Sequence, residues 1–119
     1  MATISLVVPC YNEQEALPIF YDTVEKVIHE KLADYAVEYL FVNDGSADNT
    51  LKEMRQLQEK DPDHVHYISF SRNFGKEAAL YAGLQNVGGD YIAVMDVDLQ
   101  DPPDLLPQML SGILDEGYD

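Results

Sequence analysis

Apolar runs of strand length alternate with segments of helical period along nearly the whole chain, and that alternation restricts the fold more than any single motif. Thr3 to Pro9 is β-branched and almost wholly apolar, as a strand buried on both faces should be. Val37 to Asn43, Val65 to Phe70 and Tyr91 to Met95 read as further strands. After the first of them, Leu17, Phe20, Val24, Val27 and Ile28 share one helical face, with Glu25, Lys26, Glu30 and Lys31 largely opposite. The start of that helix has two readings: Asn12 with Glu15 forms a capping-box pattern, while Pro18 prefers a first-turn position. Leu51, Met54 and Leu57 mark a second helix, which Asp61-Pro62-Asp63 ends. A third spans Glu77 to Val87, with Gly88-Gly89 as its αL cap. A last helix, from about Asp104 to Leu114, carries Leu105, Leu106, Met109, Leu110 and Ile113. The resulting βαβαβαβα order with short connections predicts an α/β fold: a doubly wound, mainly parallel sheet with helices on both faces. Ligands then belong outside the carboxyl ends of the strands.

A chain of 119 residues is one domain with room for a core, and 46% hydrophobic with 24% charged residues is ordinary globular composition. Seven Lys and Arg against 22 Asp and Glu give a formal charge of -15, which opposes binding to nucleic acid or anionic lipid through a general basic surface. An anionic substrate would need a metal or a few local cations. Cys10 is the only cysteine, so no intrachain disulfide forms. Ile4 to Val8 lacks the basic flank of a signal peptide, and no stretch approaches the ~20 apolar residues that span a bilayer. A soluble, cytoplasmic piece is expected. The chain stops at Gly117-Tyr118-Asp119, where the alternation calls for another strand, so it reads as a fragment whose open sheet edge favours self-association into a homo-oligomer.

The polar clusters fall where the strands end. Pro9-Cys10-Tyr11-Asn12-Glu13 combines a rigid Pro, an aromatic face and a carboxylate that can accept the N–H groups of a base; a plain βα turn with a helix cap is the alternative. Cys10 packs as a small hydrophobe. Asp44-Gly45-Ser46 stands where nucleotide-binding α/β folds place an acidic residue for a ribose or base edge, although Asp-Gly turns are common everywhere. Ser71-Arg72-Asn73-Phe74-Gly75-Lys76 gathers two cations and helix-start amides suited to a diphosphate or a phosphate-bearing acceptor, or else to surface ion pairs. Asp96-Val97-Asp98 closes an apolar strand. Two carboxylates there are costly to keep charged without a cation, so Asp96 and Asp98, with the neutral oxygen of Gln100, suit Mg²⁺ or Mn²⁺; the alternative is an acidic loop capping the Asp104 helix. His29, His64 and His66 are scattered, and solvent exposure accounts for them.

With these clusters in order, the sequence resembles the family-2 inverting glycosyltransferases of GT-A fold. Val8-Pro9-Cys10-Tyr11-Asn12-Glu13, Asn43-Asp44-Gly45-Ser46-Ala47-Asp48-Asn49-Thr50 and Asp96-Val97-Asp98-Leu99-Gln100-Asp101-Pro102-Pro103 look like its successive nucleotide-sugar motifs, the last being its Asp-x-Asp motif. Ser69-Phe70-Ser71-Arg72-Asn73-Phe74-Gly75-Lys76-Glu77-Ala78-Ala79-Leu80, with the Leu-Gln-Asp-Pro-Pro ending, narrows the likeness to the polyprenyl-phosphate branch of bactoprenol glucosyltransferases and dolichol-phosphate mannose synthases.

The resemblance implies that residues 1–119 are the donor-binding part of a hexosyltransferase, with the acceptor part and any membrane helices beyond Asp119. Pro9, Tyr11, Glu13 and Asp44 would hold base and ribose, Lys76 would lie near the nucleotide or phosphates, and Asp96, Asp98 and Gln100 would hold the metal, Asp96 also contacting the donor. Asn43 stands where many members have a first Asp. The full enzyme would transfer a sugar from a UDP- or GDP-sugar to polyprenyl phosphate with inversion, at the cytoplasmic face of the membrane, and the isolated fragment would be inactive in transfer. Two rivals remain: a noncatalytic nucleotide-sugar binding module, and a phosphatase of the haloacid dehalogenase type, disfavoured because its Asp-x-Asp ends the first strand of the core rather than the fourth.

Overall fold

The computed structural model describes residues 3–31, 33–95 and 97. Its elements are β1 (Thr3–Cys10), α1 (Ala16–Lys31), β2 (Ala36–Asn43), α2 (Thr50–Lys60), β3 (Val65–Ser69), α3 (Lys76–Gln85) and β4 (Tyr91–Val94). The helix expected at Asp104 to Leu114 lies outside the described residues.

All three strand pairings are parallel and the order is β3-β2-β1-β4, so the expected α/β class is borne out. β1 pairs with β2 along its whole length, from Thr3 opposite Ala36 to Cys10 opposite Asn43. Ile4 to Val7 pair on the other side with Tyr91 to Val94, and the Met95 N–H donates to the Val7 carbonyl at 3.1 Å. This central place explains the unbroken apolar run of β1, since Ile4 and Leu6 to Val8 are buried whichever face they point to.

Side-chain alternation divides the core between two faces. Ile4, Leu6, Val8 and Cys10 meet Tyr39 and Phe41 and the apolar stripes of α1 and α2, including Leu17, Phe20, Val24, Met54 and Leu57. On the other face Leu40 and Val42 pack with Ala79 of α3. The α3 helix comes close to the sheet because Gly83 has no side chain; a Cβ there would sit 2.4 Å from Cγ1 of Val7.

Two local expectations need correction. α1 begins at Ala16, so the Pro18 reading holds; Asn12 lies outside the helix at φ 55°, and its side chain serves another loop instead of a capping box. Gly88-Gly89 is not an αL cap. α3 ends at Gln85 with Asn86 as its C-cap at φ -114°, and the Asn86 side chain donates to the Ala82 carbonyl at 2.7 Å. Gly89 is required for a different reason, because a Cβ there would stand 2.5 Å from the Ser5 hydroxyl that its N–H reaches.

Candidate functional site

The strand order changes direction at β1, with β2 and β3 on one side and β4 on the other. A parallel sheet offers its ligand crevice at the carboxyl ends beside such a reversal. Here that means the end of β1 and the residues after β4. Met95 and Val97 are buried, and between and beyond them Asp96, Asp98 and Gln100, the expected metal ligands, lie outside the described residues.

Pro9 is half-buried on β1 opposite Val42, and Tyr11, half-exposed, stands just past the strand end. Cys10 beneath them is buried; loss of solvation chiefly, and then the Glu13 charge, push its thiol far above the usual range, so it packs as an inert hydrophobe. Glu13 follows on the loop, where its carbonyl accepts the Leu17 N–H at 3.0 Å and so begins α1.

The loop after β1 is joined to the loop after β2 by side chains that accept backbone N–H groups. Ser46 Oγ accepts the Asn12 N–H at 2.9 Å, and Asn12 Oδ1 accepts the Ala47 N–H at 2.8 Å in return. Thr50 Oγ1 accepts the Glu13 N–H at 2.8 Å, Gln14 Oε1 accepts the Asn49 N–H at 3.0 Å, and Asp48 Oδ2 accepts the Gln14 N–H at 3.3 Å. The Thr50 hydroxyl donates to Asp48 Oδ1. Partial loss of solvation raises the Asp48 carboxyl, but these hydrogen bonds from Thr50 and Gln14 outweigh it and leave the group below its ordinary value.

A second junction links β2 to the loop after β3. Asp44 is buried, and its carboxylate accepts the Phe74 N–H at 2.8 Å on one oxygen and the Gly75 N–H at 3.1 Å and Asn73 Nδ2 at 3.0 Å on the other. Gly45 beside it adopts φ 67°, and a Cβ there would fall 2.1 Å from the Arg72 carbonyl carbon, so at this point the two backbones come into direct contact. Asn43 is buried as well. Its Oδ1 accepts the Ser46 N–H and its Nδ2 donates to Ser69 Oγ, each at 3.1 Å, so an amide uses both of its ends here.

Arg72 lies with its guanidinium carbon 4.7 Å from the centre of the Phe74 ring, which meets Phe70 edge-on. Lys76 opens α3 and is exposed. Thus the end of β1 with Pro9, the loops after β1, β2 and β3 with Tyr11, Glu13, Asp44 and Arg72, and the start of α3 with Lys76 meet at one end of the sheet. Asn12, Gln14, Asp48, Thr50 and Asn73 escaped the sequence reading as site-builders. The signal available was the density of Asx, Ser and Thr residues in loops that flank strands, which are the side chains that compete for backbone groups.

Among the described residues no three His, Cys, Asp or Glu side chains gather to hold a metal, and no helix is long and apolar enough to cross a membrane.

Comparison with known proteins gives this geometry a context. A family model described as Glycosyl transferase family 2 matches residues 5–119. The chain is 52% identical over 107 residues to a prophage bactoprenol glucosyl transferase homolog of Escherichia coli (strain K12), covering 90% of this chain and 34% of that protein. It is 41% identical over 117 residues to an undecaprenyl-phosphate 4-deoxy-4-formamido-L-arabinose transferase of Yersinia pestis (strain Pestoides F), covering 98% and 35%. Among solved structures, a mannosyltransferase from Pyrobaculum calidifontis in complex with GDP-Man and Mn²⁺ superposes with a TM-score of 0.76 at 23% identity, covering 92% of this chain and 32% of that one. The chain therefore spans about a third of the length of the curated relatives it matches.

Proposed function

Since the chain belongs to glycosyl transferase family 2, we propose that it is the donor-binding part of an enzyme that transfers a sugar from a UDP- or GDP-sugar to polyprenyl phosphate with inversion. The observation that carries this reading is the 52% identity to a bactoprenol glucosyl transferase homolog over 107 residues of this chain. Family membership leaves no ground for the phosphatase alternative.

Tyr11 offers its exposed ring to the base, Glu13 accepts base N–H groups, and Pro9 stiffens the strand end just before them. Asp44 keeps its place in this set at the end of β2. Arg72 and Lys76 supply local positive charge for the diphosphate in an otherwise acidic chain. Asp96, Asp98 and Gln100 form an all-oxygen donor set, which fits a hard divalent cation, Mg²⁺ or Mn²⁺. When bound, the ion supplies charge stabilisation for the departing nucleoside diphosphate. The acceptor phosphate is ionised near neutral pH, so the protein's task is to position donor and acceptor in line rather than to remove a proton from a hydroxyl. In the whole enzyme this happens at the cytoplasmic face of the membrane, where the lipid acceptor is reached.

Calorimetric titration of the full-length protein with UDP and with GDP, in Mn²⁺ or in chelator, tests the reading. One of the two nucleotides binds at least tenfold more tightly with metal, and Asp98→Asn removes that increment. Equal affinity in both conditions refutes the metal assignment, and no affinity for either nucleotide refutes the donor assignment.

A further inference from the structure

In the proposed donor site Tyr11 takes the face of the base and Glu13 its edge, and a single residue separates them. That residue is Asn12. It stands at φ 55°, the only residue other than glycine with a positive φ among those described, and Asn is one of the few residue types that enter this left-handed region at small cost. On either side of the turn the chain is already held: the Cys10 carbonyl accepts the Asp44 N–H at 2.9 Å, and the Glu13 N–H donates to Thr50 Oγ1 at 2.8 Å. Between those points Asn12 makes the connection. Its N–H donates to Ser46 Oγ at 2.9 Å, and its Oδ1 accepts the Ala47 N–H at 2.8 Å. Ser46 is anchored in turn, because its N–H donates to Asn43 Oδ1 and Asn43 Nδ2 donates on to Ser69 Oγ, each at 3.1 Å. The restraint on Asn12 thus reaches the ends of β2 and β3.

We propose that Asn12 is a positioning residue that sets the base preference of the donor site: its left-handed backbone and its double tether to Ser46 and Ala47 fix the angle between the Tyr11 ring and the Glu13 carboxylate. A stacking ring and an edge acceptor approach a base from directions at right angles. In an extended segment, residues two apart point the same way, so a face contact and an edge contact from positions 11 and 13 need a residue between them that turns the chain. Asn12 is that residue. The edge donors of uracil and of guanine lie at different distances from the ribose, so a fixed angle between ring and acceptor favours one base and misplaces the other. A turn freed from its tether adapts to either. This proposal rests on the reading that a UDP- or GDP-sugar is the donor.

The test uses the full-length protein, with calorimetric affinities for UDP and GDP and hydrogen exchange at the Ala47 amide without ligand. The wild type should prefer one nucleotide by at least about tenfold. Asn12→Gly keeps access to the left-handed region but loses the side-chain half of the tether, whereas Ser46→Ala loses the other half and leaves the Asn12 side chain intact. In both variants the preference should fall at least about threefold, because the disfavoured nucleotide is no longer penalised, and Ala47 exchange should quicken several-fold in Asn12→Gly. Asn12→Asp retains an oxygen for the Ala47 N–H and the same tolerance of positive φ, so it should keep the wild-type preference while its charge lowers both affinities alike. Leu57→Ala weakens the core farther along α2 and should leave the preference unchanged, which separates positioning from a general loss of stability.

Four results overturn this proposal alone. Equal losses for the two nucleotides in Asn12→Gly make the tether merely structural. A preference lost in Asn12→Gly but kept in Ser46→Ala makes Asn12 a direct contact of the base. Unchanged Ala47 exchange in Asn12→Gly removes the tether itself, and a wild type that binds both nucleotides alike has no preference to set. A wild type that binds neither nucleotide overturns the donor reading as well, whereas the other four results leave that reading standing.

Discussion

Gly45→Ala is the most exacting perturbation of the site's architecture. Gly45 adopts φ 67°, and an alanine in that left-handed region costs about 1–2 kcal/mol. The added Cβ would fall 2.1 Å from the carbonyl carbon of Arg72 and 2.2 Å from the Asn73 nitrogen, both backbone atoms that no rotamer change can move. Overpacking of that kind adds about 1–3 kcal/mol, for a total of about 2–5 kcal/mol. The same displacement pulls Phe74 and Gly75 away from Asp44. Urea unfolding followed by circular dichroism measures the loss, and hydrogen exchange at the Phe74 and Gly75 amides reports whether the loop has left the strand end. Gly88→Ala is the internal control, since no atom lies within 4 Å of a Cβ at Gly88; it should be neutral or stabilising by up to about 1 kcal/mol. A Gly45→Ala protein within about 0.5 kcal/mol of wild type, with both amides still protected, refutes the close approach of the two loops.

Three further outcomes follow from named contacts. Thr50→Val keeps the volume of a fully buried side chain but removes the Oγ1 that accepts the Glu13 N–H, and should cost about 1–3 kcal/mol in urea unfolding; a change below the experimental error refutes a stabilising role for this hydrogen bond. The hydrogen bond from Asp61, aided by the charges of Asp61, Asp63 and Glu25, raises the His64 pKa above its ordinary value despite slight loss of solvation. A raised folded-state pKa contributes stability that is complete below the unfolded value near 6.5 and lost as pH rises through the folded value; for this half-exposed pair it amounts to under about 1 kcal/mol, and His64→Gln should abolish that slope. Because this chain spans 34% of the bactoprenol glucosyl transferase homolog, the isolated 119 residues should bind donor without transferring sugar, and robust transfer to polyprenyl phosphate by this chain alone would show the division into donor and acceptor parts to be wrong.

Periodicity was a reliable guide where burial on one face dictates composition. The stripe of Leu17, Phe20, Val24, Val27 and Ile28 is buried throughout, and the apolar β1 run proved central in the sheet. Strand order was not legible, because parallel neighbours are chosen by contacts far apart in sequence and no local period encodes them. Gly88-Gly89 misled for a related reason: a glycine pair after a helix reads as a cap, whereas Gly89 answers to Ser5, which lies 84 positions away. Asp44 stood out in the sequence as an acidic residue at a strand end, but its partners at Asn73 to Gly75 became visible only once β2 and β3 were side by side. A carboxylate's residue type tells that it needs donors and leaves open whether protein or ligand provides them.

Gly83 fixes the height at which α3 rides over β1, and that height has an effect at both ends of the helix. The helix rests on the sheet through Ala79 as well as Gly83, so raising one of these two points tips it about the other. A methyl group pressed against Val7, well inside the protein, would tilt Lys76 at one end and the lead-in to β4 at the other, and with it the approach to Asp96 in the sequence. A substitution far from any ligand would then register as altered donor handling. Screens that sort variants by distance from the nucleotide would file Gly83 with the bystanders.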